Sequence, residues 1–273
     1  MQLDDTGKAS FDDIYSAPDP RAYFRTLRGL DYQIPEQAKP HFRALIDEYR
    51  SAFGVATPQV LDIGSSYGIN AALLRCDITI ADLYERYDRS APDTTDELLA
   101  ADRDLVATHA GARARFVGLD VSEPALSYAV KAGFLDDAVL ADLESHDPNQ
   151  EQLGQLADTN LVISTGCLGY VGTPTLAKVV QAATRLPWMA HFVLRMFPFD
   201  PIADALAGLG YDIVRADGLF RQRRFASSEE QEQVLDTLAG IGVDPAGLES
   251  DGWFYAQLFH CRPAVGSAPE PTQ

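Results

Sequence analysis

The sequence of 273 residues contains only three cysteines, Cys76, Cys167 and Cys261, and they lie far apart along the chain. No pair has the short spacing of a metal-binding motif, so the sequence predicts no metal site. Structural disulfides are not expected either, which favours a reducing compartment and a cytoplasmic location. The amino-terminal residues also lack the basic and apolar segments of a secretory signal.

Long apolar runs and basic residues are scarce as well. No run reaches 18 apolar residues, which argues against a membrane-spanning helix and against a membrane partner. Lys and Arg number 22 against 40 Asp and Glu, and the formal charge is −18. Such a surface repels polyanions, so nucleic acid is a poor candidate partner and a small-molecule substrate is favoured. The oligomeric state is left open by the sequence.

Short apolar runs alternate with helical patterns from Gln59 onward. The candidate strands are Val60–Ile63, Arg115–Leu119, Ala138–Leu140, Leu161–Ser164, His191–Met196, Tyr211–Ala216 and Trp253–His260. This alternation predicts a Rossmann-like α/β fold, with a seven-stranded, mainly parallel sheet and helices on both faces. Residues 1–57 are predicted to form an N-terminal helical lid, residues 58–262 the main domain, and residues 263–273 a disordered tail.

The most informative segment is Val60-Leu-Asp-Ile-Gly-Ser-Ser-Tyr-Gly-Ile-Asn70, in which an apolar strand enters a turn with two glycines. Glycine allows a ligand to approach the backbone closely, and the amides of such a turn can hold a polar group. The G-x-G-x-x-G fingerprint of NAD-binding proteins is absent, which disfavours a nicotinamide oxidoreductase. A turn that serves only strand–helix packing is the alternative.

This segment resembles motif I of the class I S-adenosylmethionine-dependent methyltransferases. Asp62, Gly64 and Gly68 match the motif, and Ser66 stands where the family has its middle glycine. The resemblance covers roughly residues 58–262 and implies S-adenosylmethionine as cofactor. It also implies that the turn, Ser65 included, contacts that cofactor.

The family places an acid for the cofactor's ribose at the end of its second strand. Asp120, followed by Val121, ends such a strand, although it follows Gly64 by 56 residues where roughly 20 are usual. Asp82 follows Gly64 by 18 residues and is the competing choice, but its surroundings read as a helix. Asp120 is therefore preferred, and residues 77–112 are predicted to be a helical insertion that includes a capping box at Thr94 and Glu97.

Later strand ends supply the other candidates. The resemblance places Asp142 and Leu143 at the adenine, Ser164 near the methionine end of the cofactor, and Tyr170 near the transferred group as a catalytic and substrate-binding residue. Tyr32 and Arg195 are candidate substrate ligands, with a packing or rim role as the alternative for each. No general base is evident from the sequence.

The predicted activity is methyl transfer from S-adenosylmethionine to an O or N atom of a small molecule. Two alternatives stay open. The first is cleavage or cyclisation of the cofactor with release of methylthioadenosine, and the second is binding of the cofactor without catalysis. One scaffold hosts many reactions, so the fold alone does not choose among them.

Overall fold

Eight strands form one sheet in the computed structural model, which describes residues 6–8, 12–88, 92, 94–109 and 114–264. The strands are β1 (Gln59–Ile63), β2 (Arg115–Asp120), β3 (Asp137–Leu140), β4 (Thr159–Thr165), β5 (Trp188–Leu194), β6 (Tyr211–Arg215), β7 (Phe220–Arg224) and β8 (Trp253–Pro263). The helices are α1 (Asp12–Tyr15), α2 (Arg21–Arg28), α3 (Ile34–Phe53), α4 (Ile69–Cys76), α5 (Ile80–Arg86), α6 (Thr95–Thr108), α7 (Glu123–Ala132), α8 (Gln150–Ala157), α9 (Thr173–Ala182), α10 (Asp200–Gly208) and α11 (Ser228–Gly240).

The strand order is β3-β2-β1-β4-β5-β8-β6, and β7 pairs with the first residues of β8. Strands β1 to β5 are parallel, whereas β8 runs antiparallel to β5, β6 and β7. The order reverses between β1 and β4, so their carboxyl ends form the switch point at which open α/β sheets bind ligands. The predicted Rossmann-like fold class is confirmed, with one strand more than the seven expected.

Helices cover both faces of the sheet because each strand alternates its side chains between two apolar cores. Val60 of β1 belongs to the core that α3, α4 and α7 complete, whereas Leu61 and Ile63 belong to the core beneath α8, α9 and α10. Helix α3 buries Phe42 and Leu45 in the first of these cores. The part of the predicted lid from residue 34 to residue 53 is therefore a packing helix of the sheet.

The predicted insertion contains α5 and α6, and both begin with a capping box. Thr79 and Asp82 form the first box, and Thr94 and Glu97 form the second, as the sequence predicts. Asp102 of α6 is fully buried and accepts hydrogen bonds from Tyr87, Tyr128 and Arg86. Tyr128 belongs to α7, so this buried carboxylate ties the insertion to the main domain. Residues 89–91, 93 and 110–113 of the insertion lie outside the described residues.

Strands β6 and β7 lie one after the other along the same side of the long strand β8. The pairing shifts register between Arg221 and Arg224, where two residues of β7 face one residue of β8. This bulge lies beyond the carboxyl end of β5, since Leu194 pairs with Ala256 and β7 pairs with residues 253 to 256. The β7–β8 ribbon therefore extends over the carboxyl edge of the sheet.

Several predicted boundaries are corrected. β5 spans Trp188–Leu194 rather than the predicted His191–Met196. Pro263 ends β8, and the amide of Ala264 donates to the carbonyl of Gly210, so the strand enters the predicted tail. Residues 265–273 of that tail lie outside the described part of the chain. Within the described part, no helix is long and apolar enough to cross a membrane.

Candidate functional site

The turn after β1 lies at the switch point and contains three residues in the left-handed region. Their φ angles are +68° at Gly64, +49° at Ser66 and +74° at Gly68. A left-handed φ is the conformation that glycine adopts without strain, so Ser66 adopts here a conformation that a glycine at this position would favour. A Cβ on Gly68 would come within 3.2 to 3.3 Å of α7 and the residues after it, so α4 begins in close contact with that helix.

Gly64 makes room for a side chain of the protein itself. A Cβ at this position would lie 2.7 Å from Cβ of Cys167, whose thiol donates to the carbonyl of Ile63. Burial raises the pKa of Cys167 to about 12, so the group is a neutral thiol at physiological pH. Cys167 is therefore a packing residue and is not an activated nucleophile.

Most amides of the turn are already hydrogen-bonded within the protein. Those of Gly64 and Ser65 donate to the carbonyl of Leu119, and that of Gly68 donates to the carbonyl of Ser65. The amide of Ser66 donates to Asp120 over 2.8 Å. The turn thus joins β1 to β2, and the expectation that its amides cradle a ligand is not supported at these positions.

The alternatives Asp120 and Asp82 are placed very differently. Asp120 ends β2, next to β1, and its two carboxylate oxygens accept from the amides of Ser66 and Ser122. Each oxygen keeps a further lone pair for a ligand hydroxyl. Asp82 instead closes the capping box of α5, where the Thr79 amide and hydroxyl hold its carboxylate. Only Asp120 lies at the carboxyl edge of the sheet.

A chain of polar side chains runs from β1 towards the amino-terminal helices. Nδ2 of Asn70 donates to Asp62 over 3.0 Å and lies 3.2 Å from the hydroxyl of Thr165. The phenol of Tyr32 lies near Thr165 and Tyr23, and burial raises the Tyr32 pKa well above its ordinary value. Tyr32 is therefore a neutral phenol at the end of β4, adjoining the predicted methionine end.

The carboxylate of Asp62 lies beneath this chain and has no exposed surface. Burial raises its pKa to about 7, the Asn70 amide opposes that shift, and the nearby charge of Asp120 adds to it. Asp62 thus orients Asn70 from below and carries a proton over part of the physiological pH range. Its contact with Asn70 makes it a positioning residue for that side chain.

Four buried polar atoms around this edge have no hydrogen-bond partner within the described residues: Ser65 Oγ, Ser66 Oγ, Asn70 Oδ1 and Gln222 Oε1. A buried acceptor or donor without a partner is costly, and natural proteins rarely keep one without a reason. Ser65 Oγ faces Gly118 of β2, within the packed interior. The other three belong to the turn after β1, the first turn of α4 and the β7–β8 ribbon.

Gln222 was not identified from the sequence. It lies in the bulge of β7, is 5 % exposed, and packs against Gly166, the residue after β4. A Cβ on Gly166, whose φ is +74°, would lie 2.2 Å from Gln222 Nε2. The sequence offered one signal for this contact, Gly166 directly after β4, because a glycine leaves room for a side chain from elsewhere in the chain.

The predicted adenine residues lie at the ends of β2 and β3. Val121 is 68 % exposed beside Asp120, a large apolar surface open at the edge of the sheet. The carboxylate of Asp142 accepts from the amides of Glu144 and Ser145, and these hydrogen bonds hold its pKa below the ordinary value. Leu143 is 2 % exposed in the core, so its side chain serves packing.

The remaining predicted residues lie around the end of β4 and β5. The hydroxyl of Ser164 is fully buried and lies 2.8 Å from Nδ1 of His191, below the edge. Arg195 donates to Glu249 over 2.6 Å and to the carbonyl of Asp244 over 2.8 Å. These contacts favour a structural role for Arg195, and its predicted role as a substrate ligand stays a prediction.

Tyr170 is 45 % exposed, and its ring lies against Phe197. Residues of the chain's amino-terminal segment cover it: Thr6 donates to its hydroxyl, and Nζ of Lys8 lies 4.7 Å from its ring centroid. Tyr170 thus lies in the rim of the site, close to a cation of the protein itself.

A second part of the amino-terminal segment crosses the edge near the glycine turn. The hydroxyl of Tyr67 lies 2.9 and 2.8 Å from the carbonyl oxygens of Ile14 and Ala17. Ser122, which follows β2, donates to the carbonyl of Tyr15 over 2.6 Å. The region around α1 therefore adjoins both the turn and Asp120, and it borders the site from above.

A polar groove of about 460 Å³ lies at the opposite edge, at the amino ends of β1, β2 and β3. Gln59 and Arg115 line it, and Arg115 is paired with Asp137. None of the predicted site residues lines this groove, and open α/β sheets bind ligands at the other edge. Within residues 6–8, 12–88, 92, 94–109 and 114–264, no cluster of three or more His, Cys, Asp or Glu side chains is arranged to hold a metal ion.

Comparison with known proteins gives likeness in fold only. No protein-family model matches the sequence, and no curated protein matches it. Among solved structures, a putative RNA methyltransferase from Pyrococcus horikoshii is 11 % identical, with 82 % of each chain covered and a TM-score of 0.42.

Two further structures were solved with a ligand. Magnesium protoporphyrin IX methyltransferase from Synechocystis, with bound S-adenosylmethionine, is 13 % identical over 83 % of this chain and 79 % of its own, with a TM-score of 0.41. An S-adenosylmethionine-dependent methyltransferase from Geobacter sulfurreducens, in complex with S-adenosylhomocysteine, is 12 % identical over 81 % of this chain and 90 % of its own, with a TM-score of 0.36. At these identities and TM-scores, neither the ligand nor the substrate of these proteins transfers to this chain.

Proposed function

We propose that this chain binds S-adenosylmethionine at the carboxyl ends of β1, β2 and β4 and transfers its methyl group to an O or N atom of a small molecule. The observation that supports this most is the placing of buried, unpartnered polar atoms of Ser66, Asn70 and Gln222 around the switch point. A polar ligand at this edge satisfies atoms that the fold otherwise leaves without a hydrogen bond. The motif I resemblance of the turn supports the identity of that ligand.

The residues present fit the cofactor from end to end. The carboxylate of Asp120, fixed by two amides, is placed to accept from both ribose hydroxyls. The exposed side chain of Val121 offers an apolar face to the adenine, and Asp142 offers an acceptor for its amino group. Asn70 and Thr165 lie next to the turn after β1, and we assign them to the methionine end of the cofactor.

The bound cofactor supplies an electrophilic methyl group on a sulfonium centre. The task of the protein is to hold an acceptor in line behind that methyl and to exclude water. Tyr32 and Tyr170 lie at the same end of β4 and are the proposed walls of the acceptor site, since aromatic rings and phenol oxygens stabilise a nearby cation. The amino-terminal residues that contact Tyr67 and Tyr170 limit solvent access there.

The charge of the chain favours a small acceptor over a nucleic acid. With a formal charge of −18, the surface repels phosphate backbones. The cysteines Cys76, Cys167 and Cys261 are all free thiols. Free, mostly buried thiols suit a reducing compartment, and we place the activity in the cytoplasm on that ground.

The test is to incubate the purified protein with S-adenosylmethionine, with and without an extract of small molecules, and to identify the adenosine products by mass spectrometry. S-adenosylhomocysteine that depends on the extract is the expected product, and the Asp120→Asn variant should form much less of it at the same S-adenosylmethionine concentration. Methylthioadenosine formed without extract, above the spontaneous background, would replace methyl transfer by cleavage or cyclisation of the cofactor. No binding of S-adenosylhomocysteine by calorimetry would contradict the proposal altogether.

A further inference from the structure

We infer that Gln222, on the β7–β8 ribbon, binds the ammonium group at the amino-acid end of the cofactor through its amide oxygen. This inference rests on the proposed function, since it concerns the same ligand. It adds a residue from a part of the chain in which the sequence analysis identified no ligand-binding candidate. Four observations on the ribbon carry it.

The first observation is the bulge that aims the side chain. Between Arg221 and Arg224, β7 has two residues where β8 has one, so strict alternation of the side chains is interrupted. Bulges of this kind re-aim a side chain and are frequent beside functional sites. Here the bulge brings Gln222 against Gly166, at the end of β4.

The second observation is that the bulge is held firmly on both sides of Gln222. Arg223 forms a buried, two-point ion pair with Glu230, with distances of 2.7 and 2.9 Å. The carbonyl of Gln222 accepts from the amide of Gln33, and the amide of Arg224 donates to the carbonyl of Leu30. The backbone at this point is thus fixed from two directions, which suits a side chain that must meet a ligand.

The third observation is the unsatisfied oxygen. Gln222 is 5 % exposed, and its Oε1 is buried with no hydrogen-bond partner among the residues that the structure describes. An amide oxygen accepts hydrogen bonds and donates none. The group that satisfies it must therefore carry an N–H or an O–H.

The fourth observation is the neighbourhood of Gly166. This residue follows Thr165, whose hydroxyl lies 3.2 Å from Asn70 Nδ2 at the switch point. The proposed cofactor site places its methionine end here. That end carries a carboxylate, which offers only acceptors, and an ammonium, which offers three donors. Of these two groups, only the ammonium can satisfy Gln222 Oε1.

The test compares two ligands and three variants. S-adenosylhomocysteine carries the amino-acid end, whereas methylthioadenosine has the same nucleoside and thioether without it. Gln222→Met keeps the size of the side chain and removes the oxygen, and Gln222→Glu keeps an acceptor and adds a negative charge. Gln231→Met is the matched control, because Gln231 hydrogen-bonds the carbonyls of Glu249 and Ser250 and has a structural role.

Gln222→Met should weaken the binding of S-adenosylhomocysteine about tenfold or more in calorimetry, as expected for a lost hydrogen bond to a charged group. Its affinity for methylthioadenosine should not change. Without ligand, the melting temperature of Gln222→Met should equal or exceed that of the wild type, because the substitution removes the buried, unpartnered Oε1. Gln222→Glu should bind S-adenosylhomocysteine as well as the wild type or better.

The control should show the reverse pattern, with a lower melting temperature and unchanged affinity for both ligands. Unchanged binding of S-adenosylhomocysteine by Gln222→Met overturns the inference, whatever its melting temperature. An equal loss for both ligands also overturns it, because the contact would then not be with the amino-acid end. If the wild type binds neither ligand, the proposed function itself fails, which the other outcomes leave intact.

Discussion

The two sides of the carboxyl edge meet at the switch point but are built in different ways. On the β1–β3 side, the carboxylates accept from main-chain amides: Asp120 accepts from Ser66 of the neighbouring turn and from Ser122, and Asp142 accepts from Glu144 and Ser145. On the β4–β7 side, Gln222 depends on a bulge and on a distant ion pair. The first arrangement requires only the Asp142 turn and the pairing of β2 with its neighbour β1, whereas the second requires β4, β7, β8 and α11 to be in place.

The largest expected effect comes from removing the Arg223–Glu230 ion pair, which supports the β4–β7 side. Replacing Arg223 by Met leaves Glu230 buried without its partner and should lower the free energy of unfolding by about 3 to 5 kcal/mol. Chemical denaturation measures this loss. Arg28→Met is the control, because its ion pair with Asp88 is about half exposed and should contribute at most about 1 kcal/mol.

The double variant Arg223→Met/Glu230→Gln sharpens the same comparison. It removes both charges and should recover most of the lost stability, because the cost comes from the unpaired carboxylate rather than from the missing pair. A loss below about 1 kcal/mol in Arg223→Met would show that β7 does not depend on this pair.

A smaller effect concerns the β1–β3 side. Asp120→Asn keeps the shape of the side chain but replaces one carboxylate oxygen by a donor. It should weaken the binding of S-adenosylhomocysteine about 100-fold, since two charge-assisted hydrogen bonds to the ribose depend on the carboxylate. Asp82→Asn is the matched control and should leave that affinity unchanged, because Asp82 serves only the cap of α5. If both variants lost the same affinity for S-adenosylhomocysteine, the preference for Asp120 over Asp82 as the ribose ligand would be contradicted.

The smallest effect concerns how the free energy of unfolding depends on pH, to which His191 and Asp62 contribute with opposite signs. Burial lowers the pKa of His191 in β5 to about 3. Below pH 6.5 the imidazole therefore binds a proton in the unfolded chain but not in the folded protein. Stability from this group is lost as the pH falls. The pKa of Asp62 in β1 is raised to about 7, so the folded protein keeps a proton that the unfolded chain releases above pH 3.8. Stability from this group is lost as the pH rises.

Between pH 3.8 and 6.5 these two slopes oppose each other. Asp62→Asn removes one of them, so the variant should lose more stability on acidification than the wild type, by up to about 1.4 kcal/mol per pH unit. Urea denaturation at pH 4.5, 5.5 and 6.5 (about one unit apart) measures this, with each protein compared with its own value at the highest pH. Parallel curves for the variant and the wild type would contradict the assignment of the slope to Asp62.

The same difference between the two sides explains what the sequence could predict. The strand, glycine turn and acid of β1 and β2 are local patterns, and Asp62, Gly68 and Asp120 lie where those patterns place them. Strand β7 reads Phe-Arg-Gln-Arg-Arg, which has the composition of a charged loop. Its charges have partners that only the folded chain supplies, since Arg223 meets Glu230, and Arg221 and Arg224 lie against the ring of Trp253.

The sequence also left the choice between packing and ligand binding open at some positions. Leu143 and Arg195 match the positions of ligand-binding residues by their place after a strand, but the structure engages their side chains in the core and in an ion pair. Position after a strand predicts the edge on which a residue lies. It does not predict which way the side chain turns, because that depends on neighbours far away in the sequence.

The contacts between the glycine turn and the region around α1 have a consequence for how freely the chain can change. Tyr67 and Ser122 contact this region through the main-chain oxygens of Ile14, Tyr15 and Ala17. Main-chain oxygens are the same in every residue type, so substitutions at these three positions keep the acceptors of these hydrogen bonds. The side chains there can therefore vary at the mouth of the site while the hydroxyl groups of Tyr67 and Ser122 still hold the main chain.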